Sequence, residues 1–199
     1  LISLRMVPHP LRMDQKLINK IVGFGKWVLG TSIVFYIFPR VDIFILARYV
    51  DFAQIGAYSV AIQFTMVVTV VTGAMSVVYM PKSMVAVRDS RSFKEYIKEC
   101  ILPVLLIVAV ILVLITLSTP LILLIYGENY VHASPSLRIL LVGYILMSLY
   151  LPLSYVFYAI DKPQVRFYLE GFKLLTVIAA LMVLVPRFNI IGAAMSVSL

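Results

Sequence analysis

Arg40, Asp42, Glu170 and Lys173 are ionisable residues set within long apolar stretches. At membrane depth such a side chain is costly, and it normally faces a bundle interior or a water-filled cavity. Arg40 shares a helix face with Tyr36 and Ser32, at i, i+4 and i+8. Asp42 lies two residues further on, roughly 200° around the helix, so the two charges cannot point the same way. Arg40 is therefore expected to border a cavity, where a guanidinium is a good partner for phosphate oxygens. Asp42 is then expected to point into the bundle, to hold a partner or to titrate with a coupling ion. The alternative, that both snorkel to the outer surface, stays open. Glu170 and Lys173 stand three residues apart on one face and suit either a gate or coupling site, or an interfacial ion pair.

Hydroxyl and phenol groups extend the pattern. Thr65, Thr69, Thr72, Ser76 and Tyr79 step by 4, 3, 4 and 3, which places all five on a single helix face. This stripe reads as a wall of a hydrated path, or as a set of interhelical hydrogen bonds beside Gly73 and Ala74. A second group, Tyr144, Ser148, Tyr155 and Tyr158 around Pro152, could stack on sugar rings or on apolar chains, or belong to packing and an interfacial belt.

Other chemistries find no support. Cys100 is the lone cysteine, so neither a disulfide within the chain nor a cysteine-based zinc cluster is available. His9 and His132 are far apart in sequence, and no acid pair or Ser/His/Asp grouping stands out. No catalytic residue, metal site or cofactor is expected.

The elements that must position these groups follow from composition. Hydrophobic residues make up 62% of the 199 and charged residues 13%, with a mean hydropathy of +1.04. Soluble domains run near 45–50% and about 25%, so the chain reads as an all-α integral membrane protein. Five runs suffice for the roughly 20 residues of a spanning helix: about 22–49, 55–80, 101–125, 137–160 and 166–185. A sixth begins near Asn189 and is cut off at 199. Because the chain also starts at Leu1, it is expected to be a piece of a longer protein.

Of the 17 Lys and Arg residues, Arg48, Arg138 and Arg187 fall on one side, Arg40 lies within a span, and the remaining thirteen fall on the other. That bias makes the thirteen-residue side cytoplasmic, including residues 1–21 and loops 81–100 and 161–165. The net charge of +8 then reflects topology and contacts with lipid head groups rather than nucleic acid. Residues 1–21 read as a linker or amphipathic lead-in, and 22–199 as a transmembrane lobe. Ser92 and Glu95 fit a capping box, and Phe93, Tyr96, Ile97 and Cys100 follow on one face. Residues 90–100 are thus expected to form a short amphipathic helix on the inner membrane surface.

The stretch "VDIFILARYVDFAQIGAYSVAIQF", 41–64, resembles the polysaccharide transporter branch of the multidrug/oligosaccharidyl-lipid/polysaccharide exporter superfamily, the O-antigen flippases. Asp42 with Leu46 matches a D-x-x-x-L span, and Gly56, Tyr58 and Ala61 match the G-x-Y-x-x-A opening of the next helix. "YMP" at 79–81, "TPLILLIYGENY" at 119–130, "YAIDKP" at 158–163 and "PRFNIIGAAMS" at 186–196 follow in the family's order, so the resemblance covers about 22–199. It implies the C-terminal six-helix lobe, last helix truncated, of a two-lobe transporter that rocks between inward and outward openings in the cytoplasmic membrane. The implied substrate is a lipid-linked oligosaccharide of the polyprenyl-pyrophosphate type. The implied partners are membrane lipids, an N-terminal lobe of the same protein, and H+ or Na+ as coupling ion. A cation-coupled drug antiporter of the same superfamily is the alternative. A membrane glycan polymerase or acyltransferase is a third reading, which would call for a large outer loop or catalytic His and acid residues.

Overall fold

A computed structural model describes residues 15–87, 90–159 and 163–198. Its elements are α1 (Gln15–Leu46), α2 (Phe52–Ala86), α3 (Ser90–Tyr126), a short 3-10 helix (Glu128–Ala133), α4 (Ser134–Ala159) and α5 (Pro163–Val197). Among the described residues there is no strand, as expected where lipid offers no partner to an open backbone edge. All five long helices are apolar and long enough to cross a membrane. Leu29, Val70, Leu102, Leu124 and Leu175 are among many large apolar side chains left exposed. A surface this apolar is stable against hydrocarbon and not against water, and the chain is a multi-pass membrane protein.

Short polar devices set the turns. Asp51 caps α2, its carboxylate accepting the backbone N–H of Gln54 at 2.9 Å. Gly127 ends α3 with φ 82°, a conformation that costs glycine nothing. Arg138 on α4 then ties back to α3, donating to the hydroxyls of Ser118 and Thr119 at 2.8 and 2.9 Å.

The packing order is α1 on α5, α5 on α4, and α4 on both α2 and α3. Small residues let the backbones approach: Ala57, Ala61, Ala193 and Ala194 are fully buried in the main core with Ile111, Leu141 and Leu181. Between α1 and α5, the Trp27 ring meets Phe167 and Tyr168 with centroids 5.4 and 5.6 Å apart. A Cβ at Gly30 would stand 2.7 Å from the Phe167 ring, so this glycine makes room for that contact.

One stretch differs from the sequence expectation. Residues 90–100 are not a separate surface helix but the first turns of α3. Their apolar face packs on protein rather than on the membrane surface: Tyr96 and Cys100 are buried with Tyr79 and Ala86, against Phe93 and Tyr155. The Tyr96 hydroxyl donates to the Pro152 carbonyl at 2.8 Å, and Lys82 pairs with Glu99 across α2 and α3. The helix runs on through Pro103 to Tyr126 without a break.

The break within α5 falls at Asn189, where the sequence begins a new apolar run. A straight helix would set residues 184 and 192 about 12 Å apart. Yet a Cβ at Gly192 would lie 2.3 Å from the Leu184 carbonyl oxygen. The chain doubles back at Asn189, whose φ of 51° and ψ of −130° break the helix. The limb after Asn189 then descends along α4, where the Ser198 hydroxyl donates to the Ile139 carbonyl at 3.0 Å.

Candidate functional site

A cavity of about 390 Å³ opens between α1, α4 and both limbs of α5. Phe38 of α1, Tyr144 and Tyr150 of α4, Glu170 and Lys173 of α5, and Ser198 beyond the turn line it. Gly143 lets the end of α5 lie close on α4 at this cavity: a Cβ there would stand 2.8 Å from Ser198. The Lys173 ammonium sits 4.9 Å from the centroid of the Phe38 ring, so its charge is partly offset by an aromatic face. Tyr144 is held from the far side, where its hydroxyl shares a 3.0 Å hydrogen bond with Thr69 of α2. The lining thus mixes hydrogen-bond donors, acceptors and ring faces within a lipid-facing bundle.

The cavity unites three of the residues singled out in the sequence, Tyr144, Glu170 and Lys173. Phe38, Tyr150 and Ser198 join them, and no sequence signal marks these three, because only the tertiary fold brings α1 and the end of α5 against α4. Ser148 is buried on α4, its hydroxyl spent on the Ile145 carbonyl.

Asp42 is 4% exposed and Tyr58 is fully buried. The Tyr58 hydroxyl donates to one carboxylate oxygen at 2.7 Å, and the backbone N–H of Ile43 donates to the other at 2.7 Å. This pair joins the C-terminal end of α1 to the first turns of α2. Arg40 lies on the other side of α1 and is exposed, along with Ser32 and Tyr36, the latter at 79%. The Ser32 hydroxyl is turned onto its own helix, donating to the Val28 carbonyl.

The α2 stripe lies largely against α4 and α3. Thr65, Thr72 and Tyr79 are buried, whereas Thr69 is exposed and Ser76 half-buried. Thr65 donates to the Ile62 carbonyl and Thr72 to the Val68 carbonyl within α2. Thr69 alone reaches across to Tyr144. Among the described residues, no group of three His, Cys, Asp or Glu is placed to hold a metal ion. His9 lies outside the described residues, as do Lys162 and the rest of residues 1–14.

A family model described as "Polysaccharide biosynthesis protein" matches residues 1–135, well over half of the chain. A Shigella flexneri protein named "Putative O-antigen transporter" is 24% identical over 187 residues, which is 92% of this chain and 44% of that protein. The chain therefore spans less than half the length of that relative. No solved structure matches. With the bundle of apolar helices and the family model agreeing, the chain belongs to the polysaccharide biosynthesis protein family.

Proposed function

We propose that the chain forms part of a transporter, not an enzyme, that flips a lipid-linked oligosaccharide across the cytoplasmic membrane for surface polysaccharide synthesis. The observation that carries this reading is the cavity. In a member of a polysaccharide biosynthesis family, it gathers Tyr144, Glu170 and Lys173 where a bundle built only for packing would hold apolar side chains. The name of the Shigella flexneri relative supports it. In this reading an N-terminal lobe of the same protein faces the exposed side of α1, and Arg40, Tyr36 and Ser32 border the path between the lobes. Arg40 meets the pyrophosphate there, and Asp42 with Tyr58 is the candidate for coupling to H+ or Na+.

The test is complementation with the full-length gene in a strain lacking its own transporter, read as surface polysaccharide beside immunoblots of membranes. Wild type should restore display. Arg40→Ala should abolish it at normal protein level, and Arg40→Lys should keep part, since the charge survives and the bidentate fork does not. Full display by Arg40→Ala would remove this arginine from the path. Drug efflux without polysaccharide display would favour the antiporter alternative.

A further inference from the structure

Arg138 is a cation held in place by neutral groups. Its Nε donates to the Ser118 hydroxyl at 2.8 Å and its Nη2 to the Thr119 hydroxyl at 2.9 Å. Ser118 is fully buried and gives its own proton to the Ile115 carbonyl, so its oxygen is set to accept. Neither hydroxyl offsets the charge, and among the described residues no carboxylate pairs with Arg138. The residue is nonetheless exposed. Its remaining N–H donors are free for a partner outside the bundle.

The depth and direction of the guanidinium say what that partner is. The 26 residues of α4 span about 39 Å, against a hydrocarbon core of about 30 Å. Arg138 stands one turn inside the start of α4 at Ser134, which puts it at the edge of the core, within reach of lipid phosphates. It heads a stripe of exposed apolar residues one and three turns further along α4, Val142 and Leu149. On one side of the stripe lies α3, where Arg138 bonds. On the other lies the last limb of α5, where Ser198 meets Ile139 and Gly143. Tyr144, reaching Thr69 of α2, leaves α4 by a different face. The stripe therefore looks outward to lipid, and Arg138 is not among the residues lining the cavity.

We infer that Arg138, oriented by Ser118 and Thr119, is a head-group site for an anionic phospholipid in the leaflet at the α3–α4 turn. The phosphodiester meets the guanidinium in a charge-assisted hydrogen bond, and an acyl chain lies along Val142 and Leu149. A net-anionic lipid suits it better than a zwitterionic one, which brings a cation of its own. The site is independent of what the cavity carries.

The test uses the purified full-length protein in phosphatidylcholine nanodiscs containing a small amount of phosphatidylglycerol or diacylglycerol, each with the same diazirine-bearing acyl chain. After illumination the labelled residues are mapped by mass spectrometry. In wild type, phosphatidylglycerol should label the 142–149 stretch about tenfold more than diacylglycerol does. Arg138→Met should bring the two lipids level there and leave labelling elsewhere in the chain unchanged. Arg138→Lys should keep part of the preference, since the charge survives. Ser118→Ala with Thr119→Val keeps the arginine but frees it, and should weaken the preference severalfold. A purely structural tie between α3 and α4 would leave the ratio of the two lipids where it was in all three proteins. That result, or equal labelling of wild type by the two lipids, would overturn the site. Displacement of phosphatidylglycerol from 142–149 by an equimolar polyprenyl diphosphate would overturn the phospholipid assignment and give Arg138 to the phosphates of a transported lipid.

Discussion

Asp42 is the most demanding single residue in the bundle. A carboxylate buried at membrane depth costs several kcal/mol unless its oxygens are satisfied. Here Tyr58 and the Ile43 N–H each supply a donor. Removing one partner of such a pair leaves the other desolvated, whereas replacing both by apolar groups can be nearly neutral. Tyr58→Phe should therefore lower the stability of the detergent-solubilised protein by about 1–3 kcal/mol. Asp42→Leu combined with Tyr58→Phe should recover much of the loss. Thermal unfolding of the four proteins of this cycle measures it, and strictly additive losses would mean that the two side chains are not coupled. Asp42→Asn should lower the amount of protein in the membrane more than Arg40→Ala does, because Asp42 is buried in the packing and Arg40 is not. That comparison needs only immunoblots of equal membrane samples.

At the scale of elements, the reversal at Asn189 is the sharpest feature. Positive φ is strained for most side chains and tolerated by asparagine and glycine. Asn189→Gly should be neutral, and Asn189→Val should cost about 1–3 kcal/mol and reduce the monodisperse fraction on size exclusion. Gly192→Ala should be worse than Gly73→Ala. The first Cβ meets fixed backbone at Leu184, and the second meets nothing within 4 Å.

The α2 helix offers a different check, on a Cys100→Ala background. Thiol reagents attack the thiolate, which forms in water and not in hydrocarbon. Thr69→Cys, exposed beside Tyr144, should label with a small water-soluble reagent. Thr65→Cys and Thr72→Cys should be protected by burial, and Val70→Cys, exposed toward lipid, by the absence of water. Equal labelling of Val70→Cys and Thr69→Cys would place the whole helix in water, or none of it.

Helix existence was legible because hydropathy alone requires it, and the Pro186–Asn189 stretch marked where a new run starts. The status of residues 90–100 was not legible. An amphipathic face looks the same whether it meets a lipid head group or Tyr79 and Ala86 of a neighbouring helix. The 4-3-4-3 spacing of the α2 stripe fixed which residues share a face, but not what that face meets. Likewise Asp42 announced the need for a partner, but nothing in a single chain of letters pairs it with Tyr58 sixteen residues on.

For the whole molecule, the distribution of Lys and Arg predicts a topology independently of any contact. With Cys100 replaced, Asn129→Cys should react with a membrane-impermeant reagent in intact cells, and Lys94→Cys only after permeabilisation. The reverse pattern would invert the bundle. The cavity belongs to this scale too. Its lining includes residues 38, 144, 150, 170, 173 and 198, and such an assembly depends on the chain folding back at Asn189 and on α1 lying on α5, the second of which is not a local property of the sequence.

The most direct measurement is translocation itself. Full-length protein reconstituted into sealed vesicles with a lipid-linked oligosaccharide should move the saccharide from one leaflet to the other, read by its accessibility to an added glycosidase. Wild type should render the protected half of the pool cleavable, Glu170→Gln should slow that transfer, and protein-free vesicles should keep half protected. A pool that stays half protected in the presence of well-folded wild-type protein would contradict transport of this substrate.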